Sequence, residues 1–189
     1  MNFLEKRIAK DGIVKPGNVL KVDSFLNHQM DIALMEEIGR EFHRRFADKN
    51  VTKVLTIEAS GIAIATMVGY VLGCPLVFAK KSKTKNISNN VYSVEVESFT
   101  HGNTNTVVVS KEYIKPGDRV LIVDDFLATG AALVGLKALV EQAGATVVGA
   151  GIAIEKVFQG GGDLLRQQGL RIESLARIAA MSDDSLTFC

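Results

Sequence analysis

The sequence predicts an α/β domain, a mainly parallel central sheet flanked by helices, and three observations carry that prediction. Short β-branched runs recur without polar alternation, the pattern of strands covered on both faces. Helix-like stretches separate several of them. Two of those stretches end near a glycine, Gly73 and Gly144, where a residue lacking Cβ readily takes the left-handed cap conformation.

Taken in order, Met30, Leu34, Ile38, Phe42 and Phe46 lie four apart, so residues His28 to Asp48 read as one amphipathic helix. Strands follow at Val54–Ile57, Pro75–Ala79, Thr106–Ser110, Val120–Val123 and Thr146–Ile154, with a last one at Arg171–Ile178. Helices are predicted over Ile62–Leu72 and Ala131–Gln142. Between the second and third strands, residues 82–105 are rich in Lys, Asn, Ser and Thr. A stretch of that length reads as a flexible, partly extended loop, and such loops often carry function.

With 189 residues, of which 47% are hydrophobic and 23% charged, one well-cored domain spanning 1–189 is expected. The net charge of +1 gives no global field for nucleic acid, so an anion must be bound locally. Cys74 and Cys189 are too few for a disulfide framework or a cysteine zinc site, which fits a reducing compartment. The first residues, MNFLEKRIAKDG, lack the apolar stretch of a secretory signal, and no run reaches the ~18 apolar residues of a membrane span. A cytoplasmic location is the expectation, with no nucleic-acid and no membrane partner.

The chemistry is expected where strands end and turns begin, because open parallel sheets bind ligands at the carboxyl ends of their strands. The segment VLIVDDFLATGAA, Val120 to Ala132, places Asp124 and Asp125 at a strand end, followed by Ala128, Thr129, Gly130, Ala131 and Ala132 at the start of a helix. Small residues there let main-chain N–H groups approach one phosphate at the positive end of the helix. The turn has no lysine, which argues against the triphosphate-binding GxxxxGK[ST] loop. The two acids repel a phosphate but accept hydrogen bonds from ribose hydroxyls and stabilise positive charge on the sugar. Phosphate beside a diol suggests a ribose 5-phosphate.

VLIVDDFLATGAA resembles the signature of the type I phosphoribosyltransferases, which use phosphoribosyl pyrophosphate. The likeness is closest to the bacterial xanthine phosphoribosyltransferases, through LKVDSFLNHQMD near the start, IEASGIAIA after the first core strand and AIEKVFQGGG near the end. The resemblance implies the fold of that family with a small hood, to which 1–30 and parts of the C-terminal region contribute a cover for the base. It implies catalytic roles for Asp124 and Asp125 and a 5-phosphate site at Ala128–Ala132. Glu58, Ala59, Ser60 and Gly61 resemble the pyrophosphate loop, with Ser60 also readable as a helix N-cap. Lys80 and Lys81 match a basic position near the pyrophosphate, although such a run is by default a solvated loop.

Glu95, within YSVEVESFTHG, resembles a hood residue that touches the reaction, or is one exposed carboxylate on a β-ribbon. Lys156 matches a donor to the 6-oxo group of a purine. Leu20 and Asn27 match positions that cover and hydrogen-bond the base, while Asn27 also suits an N-cap and Leu20 the core. Phe158 fits either stacking on the purine or the core. The implied activity transfers the phosphoribosyl group to N9 of xanthine, with Mg2+ carried by the sugar phosphate and no metal held mainly by protein side chains. A homodimer is implied as well. The rival readings are a guanine, hypoxanthine or adenine phosphoribosyltransferase and a non-catalytic nucleotide sensor of the same fold.

Overall fold

The computed structural model describes residues 1–82, 90–97 and 104–189. Among them, an eight-stranded sheet has five adjacent parallel strands at its centre: β9 (Ile172–Met181), β8 (Thr146–Lys156), β7 (Arg119–Leu127), β3 (Lys53–Ile57) and β4 (Leu76–Ser82). Antiparallel strands finish both edges. β10 (Leu186–Phe188) lies against β9, while β6 (Thr104–Ser110) pairs with β4 and β5 (Val91–Glu97) pairs with β6.

The absence of alternation in VLIV has its physical cause in two cores. Leu121 and Val123 join a buried cluster with α2 (Ile32–Arg45) and α3 (Gly61–Leu72), whereas Val120 and Ile122 pack with α4 (Ala131–Gln142) on the opposite face. A strand buried on both sides has no position for a polar residue until it emerges. That emergence is at Asp124, where the chemistry begins.

The first long helix is shorter than the stripe of apolar residues suggests. Asp31 accepts a hydrogen bond from the Leu34 amide and caps α2, so the helix starts at Ile32 rather than His28. Met30 is 41% exposed and lies outside the stripe, and Asn27 belongs to a separate π-helical turn, Asp23–Asn27. Asn27 is therefore not the N-cap of that helix.

Ahead of it, α1 (Phe3–Asp11) is fixed by a reciprocal cap between Asn2 and Glu5, and a hairpin of β1 (Ile13–Lys15) and β2 (Val19–Lys21) follows. A short helix, α5 (Gly161–Gln167), stands between β8 and β9. Within 82–105, the expected loop is strand over Val91–Glu97, in continuous register with β6 from Val91↔Ser110 to Glu97↔Thr104.

Gly73 ends α3 with φ of 68°, and Gly144 follows α4 with φ of 67°, the left-handed conformation both were expected to take.

Candidate active site

A cleft of about 230 Å³ opens at the carboxyl ends of β3, β4 and β7. From β7 it receives Asp124 and Asp125, each only 7% exposed, and beyond them all five residues of the turn Ala128–Ala132. Gly130 takes φ of 89°, a conformation that favours glycine, and it starts α4 with no side-chain cap. The first amides of an α-helix have no partner within it, so this turn presents N–H groups toward the cleft.

The acid pair is electrostatically strained. Burial pushes the Asp124 carboxyl well above the usual carboxylate range, and the neighbouring Asp125 adds to the shift. Lys81 opposes it from across the site. The Asp125 amide donates to Asp124 Oδ1 at 2.9 Å, fixing the carboxylate against its own backbone.

The turn after β3 supplies Glu58 and Ser60 to the cleft. The Ser60 hydroxyl makes no capping bond to α3 and stays free to face a ligand. The Glu58 side chain also braces the end of β4, its Oε1 accepting the backbone N–H of Lys81. Ala59 is exposed, and Gly61 is buried behind the cleft. A Cβ on Gly61 would collide with the Thr56 hydroxyl and lie 2.9 Å from Asp124 Oδ1.

Strand alternation separates Lys80 from Lys81 and turns Glu95 away from its neighbour Val96. Lys81 lines the cleft, but Lys80 points to the other face, its ammonium 5.8 Å from the Phe78 ring centre in a groove with Leu76 and Tyr113. Val96 also lines the cleft, next to α4, where a Cβ on Gly135 would meet both Val94 and Val96. Glu95 lies between those two valines and so faces away, exposed. Lys80 and Glu95 are thus corrected out of the cleft. The residues that follow Glu95 as far as position 103 include 98–103, which lie outside the described residues.

None of the four candidate base residues is part of the cleft's lining. Lys156, at the end of β8, donates to the Asn18 carbonyl in the β1–β2 turn at 2.8 Å and stands 5.6 Å from the ring centre of Phe126, which lines the cleft. Burial lowers the pKa of its ammonium. Asn27 Oδ1 is buried with no hydrogen-bond partner among the described residues. Leu20 is 7% exposed and packed in the core. Phe158, 38% exposed in the turn after β8, is not a core residue.

Sequence reasoning passed over Phe126, which joins the acids to Lys156, and the buried Glu155 with its partner Arg166. The three glycines of AIEKVFQGGG were the available signal, since such a run after a strand marks close backbone approach.

A phosphoribosyl transferase domain matches residues 21–160, and the chain belongs to that family. It is similar over its whole length to the xanthine phosphoribosyltransferase of Lachnoclostridium phytofermentans, 57% identical over 187 residues that cover 99% of this chain and 96% of the relative. It is 55% identical to the xanthine phosphoribosyltransferase of Finegoldia magna, over 100% of this chain and 99% of the relative. Among solved structures, the adenine phosphoribosyltransferase of Rhodothermus marinus shares 26% identity at a TM-score of 0.72, covering 92% of this chain and 97% of its own. The Giardia lamblia enzyme complexed with 9-deazaadenine has a TM-score of 0.78 at 23% identity, over 94% and 98% of the two chains, which establishes the shared fold.

Proposed function

We propose that the protein transfers the 5-phosphoribosyl group of phosphoribosyl pyrophosphate to N9 of xanthine, yielding xanthosine 5-monophosphate and pyrophosphate, a purine-salvage reaction. The observation that carries this reading is the continuity of the site: phosphate turn, acid pair, Phe126 and the Lys156 ammonium follow one another along β7 and β8. An ammonium donates to a 6-oxo group but cannot accept from a 6-amino group, which favours xanthine, guanine or hypoxanthine over adenine. The full-length likeness to xanthine phosphoribosyltransferases supports xanthine among these. Asn27 Oδ1 adds an unpaired acceptor suited to a ring N–H.

In the reaction the C1–oxygen bond to pyrophosphate breaks, the leaving group keeps the electron pair, and N9 bonds to C1 as its proton is released. Positive charge builds on the sugar meanwhile. Asp124 and Asp125 stabilise that charge and accept the ribose hydroxyls, while Ala128–Ala132 hold the 5-phosphate so that C1 is fixed before the base attacks. Ser60 and Lys81 face the leaving group, and Glu58 holds Lys81 in place through its backbone.

We also propose magnesium as the companion of the sugar phosphate. The two cleft carboxylates are hard oxygen donors whose mutual repulsion a cation relieves. Among the described residues no group of three or more His, Cys, Asp or Glu is placed to hold a metal; Asp124 and Asp125 would hold the ion together with the sugar phosphate. When bound, the ion neutralises charge on the departing pyrophosphate. A homodimer and a cytoplasmic location are proposed on the family resemblance. No helix among the described residues is long and apolar enough to cross a membrane.

The test is pyrophosphate release with one fixed sugar donor and xanthine, guanine, hypoxanthine or adenine. Xanthine is expected to give the highest kcat/KM and adenine the lowest. Adenine as the best base, or no release with any of the four, would overturn the reading. Lys156→Ala is expected to raise the xanthine KM roughly 10- to 100-fold with little change in the donor KM, because one charged hydrogen bond to the base is lost. Equal changes in both constants would count against Lys156 as a base-reading residue.

A further inference from the structure

One fully buried charge plays no part in the chemistry so far. Glu155, 1% exposed by its side chain, ends β8 next to Lys156 and receives a two-pronged ion pair from Arg166, with Nη1 to Oε1 and Nη2 to Oε2 both at 2.7 Å. Such a fork fixes direction as well as distance. Arg166 Nη2 also reaches Ser174 Oγ at 3.4 Å, and Arg177 Nε lies 3.5 Å from the same carboxylate.

Arg166 belongs to α5, and α5 is the outer wall of the phosphate turn. The Gly161 amide donates to the Ala128 carbonyl at 3.2 Å. A Cβ on Gly161 would collide with the backbone of Ala128 and Thr129, so main chain rests directly on main chain. Leu165 presses on Gly130 from the same helix, 3.0 Å from where a Cβ would stand. A Cβ on Gly162 would strike the Glu155 carboxylate itself. Gly161 and Gly162 thus each permit one contact, the first with the phosphate turn and the second with the buried ion pair.

We infer that the Glu155–Arg166 pair is the positioning device of the 5-phosphate site, clamping α5 so that Gly161 and Leu165 hold the turn Ala128–Gly130 in its anion-binding shape. The inference rests on the proposed reading of that turn. Neither residue touches substrate. A seven-residue helix has few contacts with which to hold a loop, and the fork to Glu155 ties it to the strand that neighbours β7 in the sheet. Because Leu127 is in register with Glu155, the strand end that starts the turn and the carboxylate that anchors its wall lie side by side.

The experiment measures the Kd of ribose 5-phosphate by calorimetry, together with the KM for phosphoribosyl pyrophosphate and for xanthine. Arg166→Met is expected to weaken ribose 5-phosphate and raise the donor KM by roughly 10-fold or more, with a much smaller change in the xanthine KM. Arg166→Lys, which keeps the charge but not the fork, should recover part of the loss. If Arg166→Met does not fold because Glu155 loses its forked partner, Glu155→Gln/Arg166→Met removes the buried charge and carries the same expectation. Folded variants that bind ribose 5-phosphate like the wild type would overturn the inference, as would equal losses for donor and base. A wild-type protein that binds ribose 5-phosphate but makes no xanthine nucleotide overturns the choice of base and leaves the clamp standing. Failure of the wild type to bind ribose 5-phosphate overturns both.

Discussion

Asp124→Asn is expected to lower kcat by about 10²- to 10³-fold while leaving the folded protein as stable as before or more so. The two effects have one cause. Burial and the adjacent Asp125 charge push the Asp124 carboxyl up, so its ionised form is disfavoured in the native state relative to the unfolded chain. An acid with a raised native pKa takes up its proton more tightly when folded, and stability therefore falls as pH rises from the unfolded value of about 3.9 through the native one. Asparagine has no such penalty and keeps an oxygen for the Asp125 amide. Thermal melts at pH 5, 6.5 and 8 should show the advantage of the variant in Tm widening with pH. A variant less stable than the wild type at pH 8, or one retaining normal turnover, would contradict the account.

Gly61→Ala is expected to reduce kcat/KM for the sugar donor by roughly 10²-fold and to cost about 1–3 kcal/mol of stability. The added methyl group meets the Thr56 hydroxyl and presses on Asp124 Oδ1, and both neighbours are buried. Room for it comes only from moving the acid or the turn that carries Ser60. Thr56→Ala in the same chain separates these routes. It removes the hydroxyl, which has no hydrogen-bond partner among the described residues, but not the pressure on Asp124. The double variant should regain much of the Tm and little of the activity. Full recovery of both would show that Asp124 is not displaced.

The strands and the cleft were legible in the sequence to different depths. Runs such as VLIV are readable because burial on two faces excludes polar residues, and the acids stand out because they interrupt that rule. Lys80 and Glu95 were misplaced for a geometric reason: a period of two sends adjacent residues to opposite faces, and no neighbouring apolar pattern declared which face was the cleft. The start of α2 was misread because Met30 continues a stripe that the Asp31 cap has already ended. Glu155 and Arg166 lie eleven residues apart, and only the turn of α5 back over β8 makes them partners. Contacts of that kind leave no local mark beyond the glycines that permit them.

The strand order has a kinetic consequence. β7 carries the acids, and its neighbours β3 and β8 are both parallel to it, with Lys53 aligned to Val120 and Arg119 to Thr146. Parallel partners cannot meet through a tight hairpin, so each pairing closes a long segment of chain before any contact repays the lost entropy. Topologies dominated by such non-local pairing fold slowly for their size. Assembly of the cleft therefore waits on several long chain closures, and activity recovered during refolding should trail the appearance of helical signal.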